Sequence, residues 1–351
     1  MNAERLLLIA VVQIALTVGP AIVHGADGPK DDRRDFWVNG VATDDDLKQF
    51  EEQPAADTRE LGLSESHVTD TGLRYLRAMK KLEIINLSDT AVSDAGLKEL
   101  FETQSHPAMA ELWIRNTKVT DNGLKYVGRS KSLRLVEVGG TAISDAGLEH
   151  LAGSGLHKLY LETNDRITDA GMASVGKINS LCLLGLDSKR ITDEGCTHLR
   201  GLKHIEQLFL CSDKFTNAAM QAVGGLTPEI LEIGGRNVND DGLKFLKGNK
   251  KLARLFLARN TISGRGLDDL AALPKLIDLR LSDFTDEGLE HVGRLEHIEQ
   301  LTFVRPKFTA AGLAHLKKLK LTFLGLDRTA AGYEEMLKKA FPKCNVHVWT
   351  D

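Results

Sequence analysis

The nine residues VTDTGLRYL at positions 68–76 decide the fold, because the chain repeats them with small changes along most of its length. The further copies are VSDAGLKEL (92–100), VTDNGLKYV (119–127), ISDAGLEHL (143–151), ITDAGMASV (167–175), ITDEGCTHL (191–199), FTNAAMQAV (215–223), VNDDGLKFL (238–246), ISGRGLDDL (262–270), FTDEGLEHV (284–292) and FTAAGLAHL (308–316). Successive copies lie between 22 and 27 residues apart. A period of this length indicates a protein built from stacked structural units.

Each repeat predicts one short strand and one helix. Leu82, Ile85 and Leu87 follow an LxxLxL pattern whose last apolar positions alternate, which is typical of a strand with one buried face. The GLxxL part of the motif has apolar residues three apart, as on a helix, and the preceding Thr-Asp or Ser-Asp supplies oxygen atoms for N–H groups at a helix start. We expect the motif glycine there because a Cβ would meet the neighbouring repeat. The sequence therefore predicts an α/β solenoid of stacked repeats.

The pattern LxxLxLxxTxVTDxGLxxLxxL resembles the leucine-rich repeat consensus, in the variety found in secreted bacterial repeat proteins and in the repeat arm of F-box proteins. The resemblance covers about residues 36–351. It implies a horseshoe with a concave parallel sheet and convex helices, and a ladder of Thr or Asn side chains at the inner turn. The candidates for this ladder are Thr90, Thr117, Thr141, Asn164 and Asn260. The middle repeats depart from it at Lys189, Asp213 and Arg236.

The segments outside the repeats predict an exported protein. Residues 1–25 resemble a signal peptide, with an apolar run at 6–18, a Gly-Pro break and a cleavage site before Ala26. Residues 26–60 are interpreted as a linker and N-terminal cap, 61–327 as repeats and 328–351 as a C-terminal cap. We expect a periplasmic or extracellular location, and no membrane span in the mature chain.

Composition and motif content exclude several functions. A net charge of −4 with 27% charged residues excludes a polybasic nucleic-acid-binding protein. The sequence contains no GxSxG, HExxH or P-loop motif. The repeated Asp residues are interpreted as helix starters rather than acid–base pairs, and Cys196 as a buried residue in a Leu slot. We therefore expect no enzyme activity, no catalytic residue, no cofactor and no metal ligand.

A second pattern lies on the side of the strands opposite the core. Side chains alternate along a strand, and on this side an aromatic residue of one repeat alternates with an aliphatic residue of the next. The resulting zigzag comprises Ile84, Trp113, Leu135, Tyr160, Leu183, Phe209, Ile230 and Phe256. A contiguous stripe of exposed apolar side chains indicates a binding surface, so these are the predicted partner-binding residues. The alternative is that they only stabilise the strands by cross-strand packing.

Three functions are consistent with this pattern. The first is an exported, non-enzymatic recognition scaffold that binds a protein or peptide on the concave sheet face. The second is a structural envelope component that forms homo-oligomers through the same stripe. The third, which the F-box resemblance implies, is a substrate-recognition adaptor. We expect the third least, because the signal peptide and the short segment before the first cap leave no room for an F-box module.

Overall fold

The computed structural model describes residues 36–37, 40–52, 56–104 and 106–349. The predicted signal peptide, the cleavage site and Val38 of the predicted cap lie outside these residues. The described chain divides into two compact units, which we call the N-terminal unit, up to Ile205, and the C-terminal unit, from Glu206. No helix within the described ranges is long and apolar enough to cross a membrane.

In the N-terminal unit, short parallel strands pair with one another in sequence order. These strands are β1 (Phe36–Trp37), β2 (Glu60–Gly62), β3 (Ile84–Asn86), β4 (Glu111–Trp113), β5 (Leu135–Glu137), β6 (Lys158–Tyr160) and β7 (Leu183–Asp187). The helices between them are α1 (Asp44–Glu52), α2 (Asp70–Leu73), α3 (Asp94–Lys98), α4 (Asp121–Arg129), α5 (Asp145–Glu149), α6 (Asp169–Val175) and α7 (Asp193–Thr197). Single helical turns of tighter or wider pitch follow three of them, at Arg74–Ala78, Glu99–Thr103 and His198–Gly201.

The C-terminal unit repeats the same arrangement. Its strands are β8 (Gln207–Cys211), β9 (Ile230–Gly234), β10 (Arg254–Ala258), β11 (Asp278–Ser282), β12 (Gln300–Val304), β13 (Phe323–Leu326) and β14 (Asn345–Val348). Its α-helices are α8 (Asn217–Val223), α9 (Asp240–Leu243), α10 (Asp286–Val292) and α11 (Glu334–Ala340). Its 3₁₀ turns are Lys244–Leu246, Arg265–Leu270, Gly312–Leu316 and Arg328–Tyr333.

The core of each repeat consists of the residues that the two sequence patterns predict. In the repeat that contains β3, the strand residues Leu82, Ile85 and Leu87 are fully buried, and so are Leu97 and Leu100 of the following helical segment. Alternation in the strand and spacing of three in the helix thus direct both sets of side chains to one interior. The predicted α/β architecture of strands and helices in alternation is confirmed.

The motif aspartate joins one repeat to the next. Asp70 begins α2, as the sequence predicts for a helix starter, but its carboxylate serves the following repeat. One oxygen accepts the backbone N–H groups of Ser93 and Gly96 at 2.7 and 3.0 Å, and the other accepts the Ser93 hydroxyl at 2.6 Å. The Ser93 hydroxyl in turn accepts the N–H of Ala95 and caps α3. Each such carboxylate therefore satisfies N–H groups at a helix start that have no partner within the helix.

The same contact recurs along both units. In the N-terminal unit it joins Asp44 to Thr69, Asp94 to Thr120, Asp121 to Ser144, Asp145 to Thr168 and Asp169 to Thr192. In the C-terminal unit it joins Asp240 to Ser263 and Asp286 to Thr309, with Asn217 and Asn239 making an amide version. The motif glycine provides the space for this contact, since a Cβ on Gly123 would lie 2.7 Å from the Asp94 carboxylate.

The expected ladder of Thr and Asn side chains is only partly present. The hydroxyls of Thr90, Thr117 and Thr141 donate to carbonyl oxygens three residues earlier in their own repeats. Asn164 does reach the preceding repeat, where its amide donates to the Val138 carbonyl at 3.1 Å. The Asn260 amide oxygen accepts the N–H of Ile262 within its own repeat. The Thr141 hydroxyl also lies 3.3 Å from the Asn164 amide oxygen of the next repeat. The aspartates nevertheless make most of the regular contacts between repeats.

Candidate functional site

The strand register places the predicted partner-binding residues of the N-terminal unit on one side of its sheet. We call this side, opposite the core, the open face. Its first row, in register from β3 to β7, is Ile84, Glu111, Leu135, Lys158 and Leu183. Its second row is Asn86, Trp113, Glu137, Tyr160 and Gly185. Lys158 is exposed, so this face reaches solvent.

The expectation that all eight residues are exposed is wrong. Ile84 and Ile230 are half-buried, while the others are largely inaccessible to solvent. The buried members are Trp113 (9% exposed), Leu135 (3%), Tyr160 (3%), Leu183 (4%), Phe209 (6%) and Phe256 (9%). Within each unit, strands only about 4.8 Å apart bring large side chains of neighbouring repeats close together, so these side chains cover one another. In each unit the stripe is therefore a packed apolar layer rather than a row of separate exposed side chains.

Trp113 and Tyr160 stack on each other across an intervening strand. Their ring centroids are 5.9 Å apart and the ring planes differ by 26°. The residue between them in register is Glu137 of β5, whose side chain is only 6% exposed. Two aromatic rings thus flank a carboxylate on the open face.

The Glu137 carboxylate has one strong partner, Arg115. The guanidinium donates a hydrogen bond to Glu137 Oε1 at 2.9 Å. Burial nevertheless raises the pKa of Glu137 from 4.5 to about 7; Arg115 opposes this rise, and the nearby charges of Glu162 and Asp89 add to it. Desolvation disfavours the ionised form of a buried carboxyl, and one arginine does not compensate for it fully.

Glu162 is a second buried carboxylate on the same face, two residues beyond Tyr160. Its side chain is 6% exposed, and no other described residue donates a hydrogen bond to either of its oxygens. Arg115 approaches Glu162 Oε2 only to 3.9 Å. Burial raises the pKa of Glu162, against the effects of Arg115 and of its own backbone N–H, and Asp187 raises it further. Leaving a buried polar atom without a partner costs stability, so this position is unfavourable for folding alone.

Gly185 creates the space in which the Glu162 carboxylate lies. A Cβ on Gly185 would lie 2.6 Å from Glu162 Oε1 and 2.9 Å from the Tyr160 ring. Because a Cβ at this second-row position would point to the open face, the carboxylate itself lies on that face beside Tyr160. Burial, together with the charges of Glu162 and Glu137, raises the pKa of the Tyr160 hydroxyl. We call Arg115, Glu137, Tyr160 and Glu162 the acidic cluster.

The C-terminal unit contains a related arrangement. In register across β8, β9 and β10 lie Phe209, Glu232 and Phe256, again a buried glutamate between two aromatic residues. The Cys211 thiol donates to Glu232 Oε1 at 3.8 Å. Arg280 follows Phe256 in the same row, and burial lowers its pKa while the charges of Glu232, Asp327 and Asp278 oppose that shift.

The sequence patterns did not point to Arg115 or Glu162 as members of this site. Both lie two residues after an aromatic residue of the open face, just beyond the short strands β4 and β6. Extending the alternation of side chains by two residues would have placed them on that face. Their burial and their pairing could not be inferred, because both depend on side chains from neighbouring repeats.

A separate cavity of about 480 Å³ lies in the N-terminal unit, lined in part by Phe101, His106, Tyr126 and Arg129. Two of its polar side chains, His106 and Arg129, have partners within the unit. The His106 ring contacts the Met79 carbonyl and the Gln104 side chain, each at 3.0 Å, and burial lowers its pKa. Arg129 donates to Glu102 at 2.8 Å. We therefore assign no function to this cavity.

The remaining candidates from the sequence are the metal-ligating residue types and the cysteines. No three His, Cys, Asp or Glu residues there are placed to hold a metal ion. Cys196 is buried in its Leu slot, and burial raises the pKa of its thiol.

Comparison with known proteins supports the repeat architecture. Residues 78–101 match the family model described as leucine-rich repeat. No curated protein matches the sequence. The fold is similar to an internalin from Listeria monocytogenes, with a TM-score of 0.55 and 22% identity over 75% of this chain and 79% of that one. It is also similar to a structure of the Rad7 and Elc1 complex in yeast, with a TM-score of 0.59 and 16% identity over 82% and 79% of the chains.

At these identities the two structures show a common fold and nothing about shared partners. That fold agrees with the repeated motif and with the parallel strands that pair in sequence order within each unit. The chain therefore has the fold of leucine-rich repeat proteins.

Proposed function

We propose that the protein is an exported, non-enzymatic recognition scaffold that binds a protein or peptide on the open face of its strands. The observation that carries this proposal is the Trp113–Tyr160 stack, a packed aromatic pair beside buried charges on the side of the sheet opposite the core. Aromatic residues surrounded by well-packed neighbours dominate the energy of many protein interfaces. The face corresponds to the concave side that the leucine-rich repeat resemblance implies.

The predicted partner-binding residues of the proposed surface fall into two groups, one in each unit. Ile84, Trp113, Leu135, Tyr160 and Leu183 belong to the N-terminal unit. Phe209, Ile230 and Phe256 belong to the C-terminal unit. Because most of them pack against one another, we expect a partner to contact their edges and the polar groups between them rather than a series of separate pockets.

Selection of peptides on the purified protein tests the binding surface. We expect peptides chosen from a random library to bind Tyr126→Ala, which alters the helix α4, as tightly as they bind the wild type. Trp113→Ala should weaken them about tenfold or more, as for a central aromatic residue of an interface. If the alanine variant does not fold, Trp113→Leu, which keeps an apolar side chain, replaces it in the binding measurement. Unchanged binding by every folded Trp113 variant would exclude the open face as the binding surface.

A molar-mass measurement distinguishes this function from self-association. A monomer in solution supports a scaffold for other partners. A stable oligomer that dissociates on Trp113→Leu substitution would instead assign the open face to contacts between copies of the chain. Export has its own test, because sequencing of the mature protein should find Ala26 at the N-terminus. Intact Met1 on protein from the exporting cell would refute it.

A further inference from the structure

We propose that the acidic cluster binds a lysine or arginine side chain of an extended peptide. This inference rests on the proposed function and specifies the chemistry of the partner. Its basis is the Glu162 carboxylate, which is buried on the open face without a hydrogen-bond donor from any other described residue.

The charges around the cluster favour a cation. Arg115 supplies one positive charge against the two carboxylates of Glu137 and Glu162. The further groups whose charges act on them, Asp89 and Asp187, are also acidic. The ionised acidic cluster therefore lacks one positive charge, and the Glu162 oxygens lack hydrogen-bond donors. A basic side chain supplies both and would favour the ionised form.

The aromatic residues are suited to the same ligand. Tyr160 lies beside the Glu162 carboxylate, and its ring stacks with Trp113. A guanidinium or ammonium group that reaches Glu162 would also lie near these rings, which attract cations through their electron-rich faces. An extended peptide delivers one such side chain while its neighbouring apolar residues cover the rest of the open face.

The energetic cost of burying the Glu162 carboxylate is a further reason to assign the acidic cluster to binding. Neither glutamate is needed for the repeat pattern, which places aliphatic residues at other positions of the open face, such as Leu135 and Leu183. A glutamine at position 162 would keep the shape and avoid burial of an unbalanced charge. Proteins often retain a destabilising group where their function requires it, and Glu162 is such a destabilising group.

The test uses a random peptide library displayed on phage and selected on three forms of the protein. These are the wild type, Glu162→Gln, and the control Glu149→Gln, which removes the same charge from an exposed position on α5. We expect Lys or Arg to be enriched at one position of the peptides selected on the wild type and on Glu149→Gln. The enrichment should be absent from those selected on Glu162→Gln.

A synthetic peptide from the wild-type selection then gives the effect of the charge. We expect it to bind the wild type about tenfold more tightly than Glu162→Gln. The same peptide with norleucine for lysine, or citrulline for arginine, should bind both proteins equally.

Two results would overturn the inference. Peptides that are sensitive to Trp113 substitution but show no basic preference would refute the basic ligand and leave the proposed function intact. If no selected peptide is sensitive to Trp113 or Glu162 substitution, the proposed function fails together with the inference.

Discussion

The carboxylate of Asp94 binds Thr120, the residue that caps the helix α4 of the next repeat. It accepts the Thr120 backbone N–H at 2.7 Å and the Thr120 hydroxyl at 2.6 Å. The same hydroxyl accepts the N–H of Asn122 and so starts the helix α4. This contact recurs in most repeats, so the helix start of one repeat is stabilised by the aspartate of the repeat before it. Adjacent repeats are therefore energetically coupled.

Asp94→Ala should therefore destabilise the protein although Asp94 is part of a different helix from the one it caps. Hydrogen bonds to a charged group contribute more than neutral ones, and we expect a loss of about 2 kcal/mol in the free energy of unfolding. Chemical denaturation measures it. The matched control is Asp165→Ala, because Asp165 is exposed and its carboxylate makes only a long ion pair, at 4.0 Å, with the Lys189 ammonium. Equal stability of the two variants would show that the contact between repeats contributes little.

Gly147→Ala should also destabilise the protein, because the new Cβ would overlap the Asp121 carboxylate that caps the same repeat. We expect a loss of about 2 kcal/mol, as for other overpacked sites. In Gly155→Ala, the nearest atom to the Cβ is the end of the Arg134 side chain at 3.4 Å, which is an ordinary contact. Thermal unfolding of both variants should show a lower midpoint for Gly147→Ala alone. A normal midpoint would mean that the backbone yields easily at the helix start.

The adjacent residues Phe209 and Leu210 test the packing on both sides of the C-terminal unit. If Phe209 were exposed, as the sequence suggested, a glutamate there would change the free energy of unfolding by less than about 1 kcal/mol. Since Phe209 is only 6% exposed and Leu210 is fully buried, we expect both Phe209→Glu and Leu210→Glu to cost several kcal/mol. Urea unfolding gives both values. If Phe209→Glu left the free energy of unfolding unchanged while Leu210→Glu lowered it, Phe209 would be exposed to solvent, as the sequence suggested.

The raised pKa of Glu137 predicts a pH dependence of stability. The folded protein holds this proton up to about pH 7, whereas an unfolded glutamic acid loses it near 4.5. The folded state thus binds more protons between these values, and its stability falls as pH rises through this window, by up to about 3 kcal/mol. The pKa of His106 is lowered, which acts in the opposite direction near neutral pH.

Comparison with Glu137→Gln isolates the contribution of Glu137, because His106 is common to both proteins. We expect denaturation at about pH 5 and about pH 8 to show that the substitution removes most of the loss of folding stability that ionisation of Glu137 causes as pH rises. The two proteins should then differ more in stability at the higher pH. Parallel stability curves would mean that Glu137 ionises normally in the folded protein.

The sequence predicts the repeats, the strand register and the helix starts because these features depend on short local patterns. Alternation identified Ile85 and Leu87 as core residues, and the Thr-Asp or Ser-Asp pair identified each helix start. The role of the aspartate carboxylate could not be predicted in the same way, since its partners lie 23–26 residues further along the chain.

The candidate site was only partly predictable for a related reason. Alternation placed Trp113 and Tyr160 on the open face, but their exposure depends on how the rings pack across β5. The burial of Glu137 and Glu162 depends in turn on those rings, on Gly185 and on a single arginine. Such contacts join residues of nearby repeats that are distant in the sequence. They also depend on side-chain conformations that a sequence motif does not specify.

Site-specific photo-crosslinking tests the open face as the binding surface most directly. A benzophenone amino acid would replace either Lys158, which is exposed on the open face in β6, or Lys125, which is exposed on the helix α4. Both substitutions are at exposed positions and should leave the fold intact. With a peptide selected on the wild-type protein, we expect covalent capture from position 158 and none from position 125. Capture from position 125 alone would contradict recognition on the open face and would move the binding surface to the helices.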